Sequence, residues 1–215
     1  MRTLRPSSSL FHRHAQSAAE HAFAEPARRA APGPTASFDT FTPAGPVRVS
    51  LGTVTGYSAL ERQKLDRATA KLGEVLNSRE FRDAVLAHTF AGKSGFASDE
   101  RTPAEVYAVI RAAKERYTAV ADGEVDLNLE LRTLSWFQRG VVGYTREGSE
   151  TITTNRRHFS GFDEAGIAGH LGHEWLHTLG FEHDFKATAR RPHSVPYALG
   201  DLIEALASRP TLTPV

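Results

Sequence analysis

The sequence predicts an α+β domain over residues 47–215, a twisted mixed sheet packed on long helices. Three observations predict it. Apolar residues recur at helical spacing from Leu60 to Leu76. Val125, Leu127, Leu129 and Leu131 alternate strictly with polar residues, the period of a strand. From Glu164 to Leu179, Ala168, Leu171, Gly172, Trp175, Leu176 and Leu179 share one broad arc of a helical wheel.

In chain order, Val47, Val49 and Leu51 alternate as a short strand. Ser58 stands where it can cap the helix in which Leu60, Leu65, Ala68, Leu72, Val75 and Leu76 recur at helical spacing. Phe81, Val85 and Leu86 predict a second, shorter helix. A third opens at Thr102-Pro103-Ala104-Glu105, with a threonine cap, proline at the first helical position and glutamate three residues after the cap. Val106, Val109, Ile110 and Ala113 supply its buried face. The strand from Val125 to Leu131 is expected to be exposed on one face. Two strand-like runs follow, Val141 to Thr145 and Thr151 to Asn155, and the intervening Arg146-Glu147-Gly148-Ser149 predicts a hairpin. Asp163 or Ser160 then caps the last helix. Gly166, Gly169 and Gly172 weaken that helix intrinsically and predict that another element approaches it closely.

Residues 1–46 have a different character. They hold six of the eleven prolines and few branched apolar residues, too little to offset the entropy of ordering. They are expected to form a flexible Pro/Ala-rich leader or linker. No apolar core of a secretory signal follows Arg2 and Arg5, so a cytoplasmic location or export by a leaderless route is expected.

Composition removes several classes of function. Lys and Arg number 26 against 25 Asp and Glu, a net charge of +1 that argues against nucleic acid as a partner. No apolar run of about 18 residues exists, which excludes a membrane-spanning helix. With no cysteine in the chain, a disulfide framework, a thiolate metal site and a cysteine nucleophile are all excluded. A metal must be held by carboxylate oxygen or by some of the ten histidines.

One motif carries chemistry. Residues 173–184 read His-Glu-Trp-Leu-His-Thr-Leu-Gly-Phe-Glu-His-Asp, that is H-E-x-x-H-x-x-G-x-x-H. Four residues apart on a helix, His173 and His177 leave the same face and can reach one Zn²⁺ at about 2.0–2.1 Å each. Glu174 projects beside the metal, where it can take a proton from water. Gly180 is the residue best able to adopt a left-handed cap, swinging the chain back so that His183 becomes the third ligand. Three protein ligands leave a fourth position open, the mark of a catalytic site.

The stretch from His173 to Asp184 resembles the metzincin clan of zinc-dependent endopeptidases, and the likeness extends over Val125 to Gly200. The blocks around Asn77-Ser78, Gly143-Tyr144-Thr145 and Ser194 to Gly200 also resemble uncharacterised bacterial zincin-like proteins. The resemblance implies a zincin-like fold with the active-site helix at the cleft floor. It further implies Zn²⁺ on His173, His177 and His183, Glu174 as general base, and hydrolysis of peptide bonds. In the clan a sheet edge strand pairs with extended substrate, and Thr151–Asn155 is expected to be that strand, with a protein or peptide as partner. The clan's turn beneath the metal usually contains methionine. Here the matching segment is Ser194-Val195-Pro196-Tyr197, Pro196 stands in the methionine's place, and Met1 is the only methionine. Tyr197 matches the tyrosine that stabilises the oxyanion or acts as a switchable ligand in astacin- and serralysin-like relatives; a core tyrosine under the site is the alternative. Two other functions stay open: a catalytically silent zinc-binding module, and a zinc amidase acting on a non-protein amide.

The neighbouring residues have plainer readings. His170 lies on the metal face one turn before His173, and a satisfied structural histidine is favoured there over a supporting role. Asp184 either orients His183 or pairs with Arg190 or Arg191. His193 reads as a surface residue, and His88 and His158 have no partner that spacing identifies.

Overall fold

A computed structural model describes residues 45–92, 101–116, 121–146 and 149–215. Of the expected leader, residues 1–44 lie outside the described residues. Among the described residues four strands form one mixed sheet: β1 (Arg48–Thr55), β2 (Glu124–Arg132), β3 (Gly143–Thr145) and β4 (Thr151–Asn155), in the order β1-β2-β4-β3. The helices are α1 (Ala59–Leu76), α2 (Arg79–Ala87), α3 (Pro103–Ala112), α4 (Arg156–Gly161), α5 (Glu164–Thr178) and α6 (Val195–Ala207). The architecture is mixed α and β, as expected.

Local chemistry explains where the helices begin. Ser58 and Glu61 form a reciprocal capping box at α1, and Thr102 and Glu105 form another at α3 with Pro103 in the first turn. Asp163, not Ser160, caps α5, its Oδ1 accepting from the Gly166 N–H at 2.8 Å. Ser160 belongs to α4, a short helix that periodicity does not announce, and its hydroxyl donates back to the Arg156 carbonyl at 2.8 Å.

β2 is the centre of the construction. It runs parallel to both β1 and β4, and buries Val125, Leu127, Leu129 and Leu131 on one face. Its other face is half-buried and polar, joined to β1 where Asp126 accepts from the Ser50 hydroxyl at 2.8 Å. Asn128 accepts there from the Thr53 N–H at 2.9 Å, beside a register shift between Leu51 and Val54. The apolar face joins α1 and α5 in a core whose largest fully buried side chains include Trp175, Phe81, Phe159, Leu65 and Leu72.

The predicted hairpin is present: β3 pairs antiparallel with β4, Tyr144 opposite Thr153. The expectation that Thr151–Asn155 is the edge strand is corrected. β4 lies inside the sheet, paired with β2 on one side and β3 on the other. Burial gives the reason. Ile152, Thr153, Thr154 and Asn155 are all buried, and only an interior position satisfies both rows of their backbone groups. The edge beside α5 is β3, three residues long and half-buried.

Candidate metal centre

α5 holds the first two histidines, and its C-terminal end supplies the third. The helix finishes in a Schellman arrangement: the Gly180 N–H donates to the His177 carbonyl at 3.0 Å, and the Phe181 N–H to the Leu176 carbonyl at 3.1 Å. Gly180 takes φ +88°, the left-handed conformation expected of it. The Arg116 N–H donates to the Thr178 carbonyl at 2.7 Å, and Glu115 accepts from the Trp175 indole at 2.7 Å. Thus the segment after α3 seats the last turn of α5. Burial raises the Glu115 carboxyl above the usual carboxylate range, with the Trp175 hydrogen bond opposing it.

This end brings His173, His177 and His183 together. One ring nitrogen from each lies within 4.8 Å of the others, so the group could hold a metal ion. The donor chemistry fits. His177 donates its Nδ1–H to the Phe181 carbonyl at 2.8 Å, and His183 donates its Nδ1–H to the Asp184 carbonyl at 3.1 Å. Each bond makes Nε2 the basic nitrogen and fixes the ring, as outer partners of metal-binding histidines do. Burial, reinforced by the His177 and His183 imidazoles, holds His173 well below its usual range. A neutral imidazole is the form that binds metal.

Glu174 stands beside this set rather than in it. The Thr145 hydroxyl on β3 lies 3.2 Å from its Oε2 and 3.3 Å from its backbone carbonyl, sharing one proton between them. Burial pushes the Glu174 carboxyl up to about 7, while hydrogen bonds from Thr145 pull it down. His170 is buried one turn earlier, its Nε2 3.0 Å from the Thr154 hydroxyl and its Nδ1 4.0 Å from Glu174 Oε1.

Tyr197 is brought to the centre as well. Its ring centroid lies 4.8 Å from that of His173 and 4.6 Å from that of His183, both edge-on. The Arg191 guanidinium sits 4.6 Å from the Tyr197 centroid and donates to its hydroxyl. Ser194-Val195-Pro196-Tyr197 is not an isolated turn but the start of α6. Ser194 is the N-cap residue, and its hydroxyl donates to the Arg191 carbonyl at 2.7 Å. Pro196 is tolerated there because first-turn N–H groups have no intrahelical acceptor.

α6 is the element whose approach the α5 glycines predict. A Cβ on Gly169 would stand 2.8 Å from the Gly200 carbonyl, and one on Gly172 would stand 2.4 Å from Ile203 Cδ1. Gly200 in turn lies against His173, where a Cβ would meet the histidine Cβ at 3.1 Å.

The other singled-out residues are placed as follows. The Asp184 carboxylate accepts from the Thr188 hydroxyl, while its backbone carbonyl serves His183. His193 is exposed, with its ring 6.1 Å from that of His88, and His158 binds the Arg139 carbonyl at 2.9 Å. Sequence reasoning missed Thr145, Thr154, Arg191 and the whole of α6. Only α6 left a usable signal: Ser194 as cap, Pro196 in the first turn, then Leu199, Ile203 and Leu206 at helical spacing. The chain matches no family model, no curated protein and no solved structure.

Proposed function

We propose that the protein is a zinc-dependent endopeptidase. The observation that carries this is a cluster of three imidazoles with a buried carboxyl held beside it, not in it, by a neighbouring strand. Imidazole suits several transition metals, but three histidines with one open position match catalytic zinc. When bound, zinc would polarise the scissile carbonyl and lower the pKa of the attacking water.

The chain's own residues do the rest. Glu174 takes the proton of the attacking water and passes it to the leaving amine. Its raised pKa suits both halves of that exchange near neutral pH. Tyr197 packs on His173 and His183 and offers its hydroxyl to the developing oxyanion, made a stronger donor by the Arg191 bond it accepts. Substrate in extended form adds to β3, the edge strand beside the cluster, through backbone hydrogen bonds.

The test combines zinc stoichiometry with digestion of an unfolded protein mixture, comparing the wild type with Glu174→Ala. One zinc per chain is expected in both, with hydrolysis falling by about 10²–10⁴-fold in the variant. Undiminished turnover in Glu174→Ala removes the general-base role. Failure to take up zinc at neutral pH removes the whole proposal.

A further inference from the structure

The flank of α5 facing the sheet carries a second buried histidine, His170, that the three-ligand set does not use. Its exposure is 1%, and Phe162 covers it with ring centroids 6.3 Å apart. β3 closes directly over it: a Cβ on Gly143 would stand 2.5 Å from His170 Cε1 and 2.8 Å from its Nε2. Only glycine lets the edge strand lie this near. At the opposite ring nitrogen, Nδ1 is buried, has no hydrogen-bond partner among the described residues, and lies 4.0 Å from Glu174 Oε1.

We propose that His170 is a positioning residue for Glu174, its Nδ1–H steering the carboxylate while Thr154 sets the tautomer. Burial drives the His170 pKa down to about 4, so the ring is neutral near pH 7 and carries one N–H. If the Thr154 hydroxyl donates to Nε2, the proton sits on Nδ1 and points toward a carboxylate oxygen. The opposite tautomer would set a lone pair against that oxygen. The 4.0 Å separation exceeds a hydrogen bond, and catalytic contacts commonly tighten only when substrate binds.

Glu174 is then bracketed, with the Thr145 hydroxyl at Oε2 and His170 Nδ1 on the side of Oε1. Two donors on opposite oxygens turn the carboxylate about its Cγ–Cδ bond to one orientation. His170 touches neither metal nor substrate. Its role passes through Glu174 and rests on the general-base assignment above.

The test uses the full zinc-loaded chain. Nitrogen-15 NMR of the histidine rings, with His170 assigned by its loss in His170→Asn, should show a protonated Nδ1 and a bare Nε2. In parallel, His170→Leu should keep one zinc per chain and an unchanged KM while kcat falls by about 10–100-fold, the range for loss of an outer partner. His170→Asn, whose amide places a donor where Nδ1 stood, should recover most of kcat. A protonated Nε2 overturns the proposal. So does wild-type kcat in His170→Leu, or an equal loss in both variants with zinc retained. A wild type that binds zinc but cleaves no peptide would sink the peptidase function alone, since the tautomer still decides the His170–Glu174 contact.

Discussion

Against α6, the helix α5 offers Gly169 and Gly172, and the two backbones approach until no Cβ fits between them. Against β3 and β4, the same helix offers His170 and Glu174, which Thr154 and Thr145 meet with hydroxyl groups. Both flanks are buried, yet they are held by different physics. The α6 flank is close packing, intolerant of volume. On the strand flank desolvation shifts two ionisable groups toward their neutral forms, and pH reaches it directly. The first flank fixes where His173 stands, and the second sets the condition of the Glu174 carboxyl.

Substitution can separate the two. Gly169→Val forces atoms into the Gly200 carbonyl and Glu204, which cannot yield without moving α6. A loss of about 3 kcal/mol in urea denaturation is expected, together with weakened metal binding, since His173 rests on Gly200. Unchanged stability would show that the contact with α6 is looser than its geometry implies.

The second effect has the opposite sign. In the zinc-free chain the Glu174 pKa is raised from 4.5 to about 7, so its contribution to stability is full below pH 4.5 and is lost as pH rises through 7. Glu174→Gln has no such loss. It should match the wild type near pH 4 and exceed it at pH 8 by on the order of 3 kcal/mol. Denaturation at both pH values measures the difference, and parallel curves would contradict the desolvation account.

His170 slopes the other way. Its pKa is lowered from 6.5 to about 4, so its contribution is full above pH 6.5 and is lost as pH falls through 4. His170→Asn should flatten the acid-side fall in melting temperature and leave the alkaline side alone. The smallest effect is expected of Thr145→Val. It costs Glu174 one hydroxyl donor, about 1 kcal/mol in stability, and raises the carboxyl pKa further. Carboxyl carbon-13 NMR of the zinc-free variant would read that rise directly.

Legibility in the sequence follows the range of the interactions. The Ser58 cap of α1, the α3 capping box, the left-handed Gly180 and the β3–β4 hairpin are decided within a few residues, and each is where its pattern places it. The four-residue spacing of His173 and His177 likewise needs only the helix. The apolar arc of the α5 wheel is not its only buried face, because β3 and α6 cover both sides and Ala165 through Leu176 are all buried. α6 itself was obscured because its first residues match a turn segment, although Leu199, Ile203 and Leu206 carry the helical period.

By itself, then, the sequence determined the mixed α and β class, most element positions and the three-histidine spacing, because periodicity, capping and ligand spacing are short-range. The tertiary structure decided the rest. That β4 lies inside the sheet and β3 at its edge depends on pairing with β2 across a gap of more than ten residues, which no local pattern encodes. That Thr145 and Thr154 meet Glu174 and His170 depends on how near β3 and β4 lie to α5, and α6 closes the other side only because glycine backbones can touch. Sequence supplies the three histidines, but burial between those layers sets the protonation of His173, His170 and Glu174, because desolvation belongs to the packed whole.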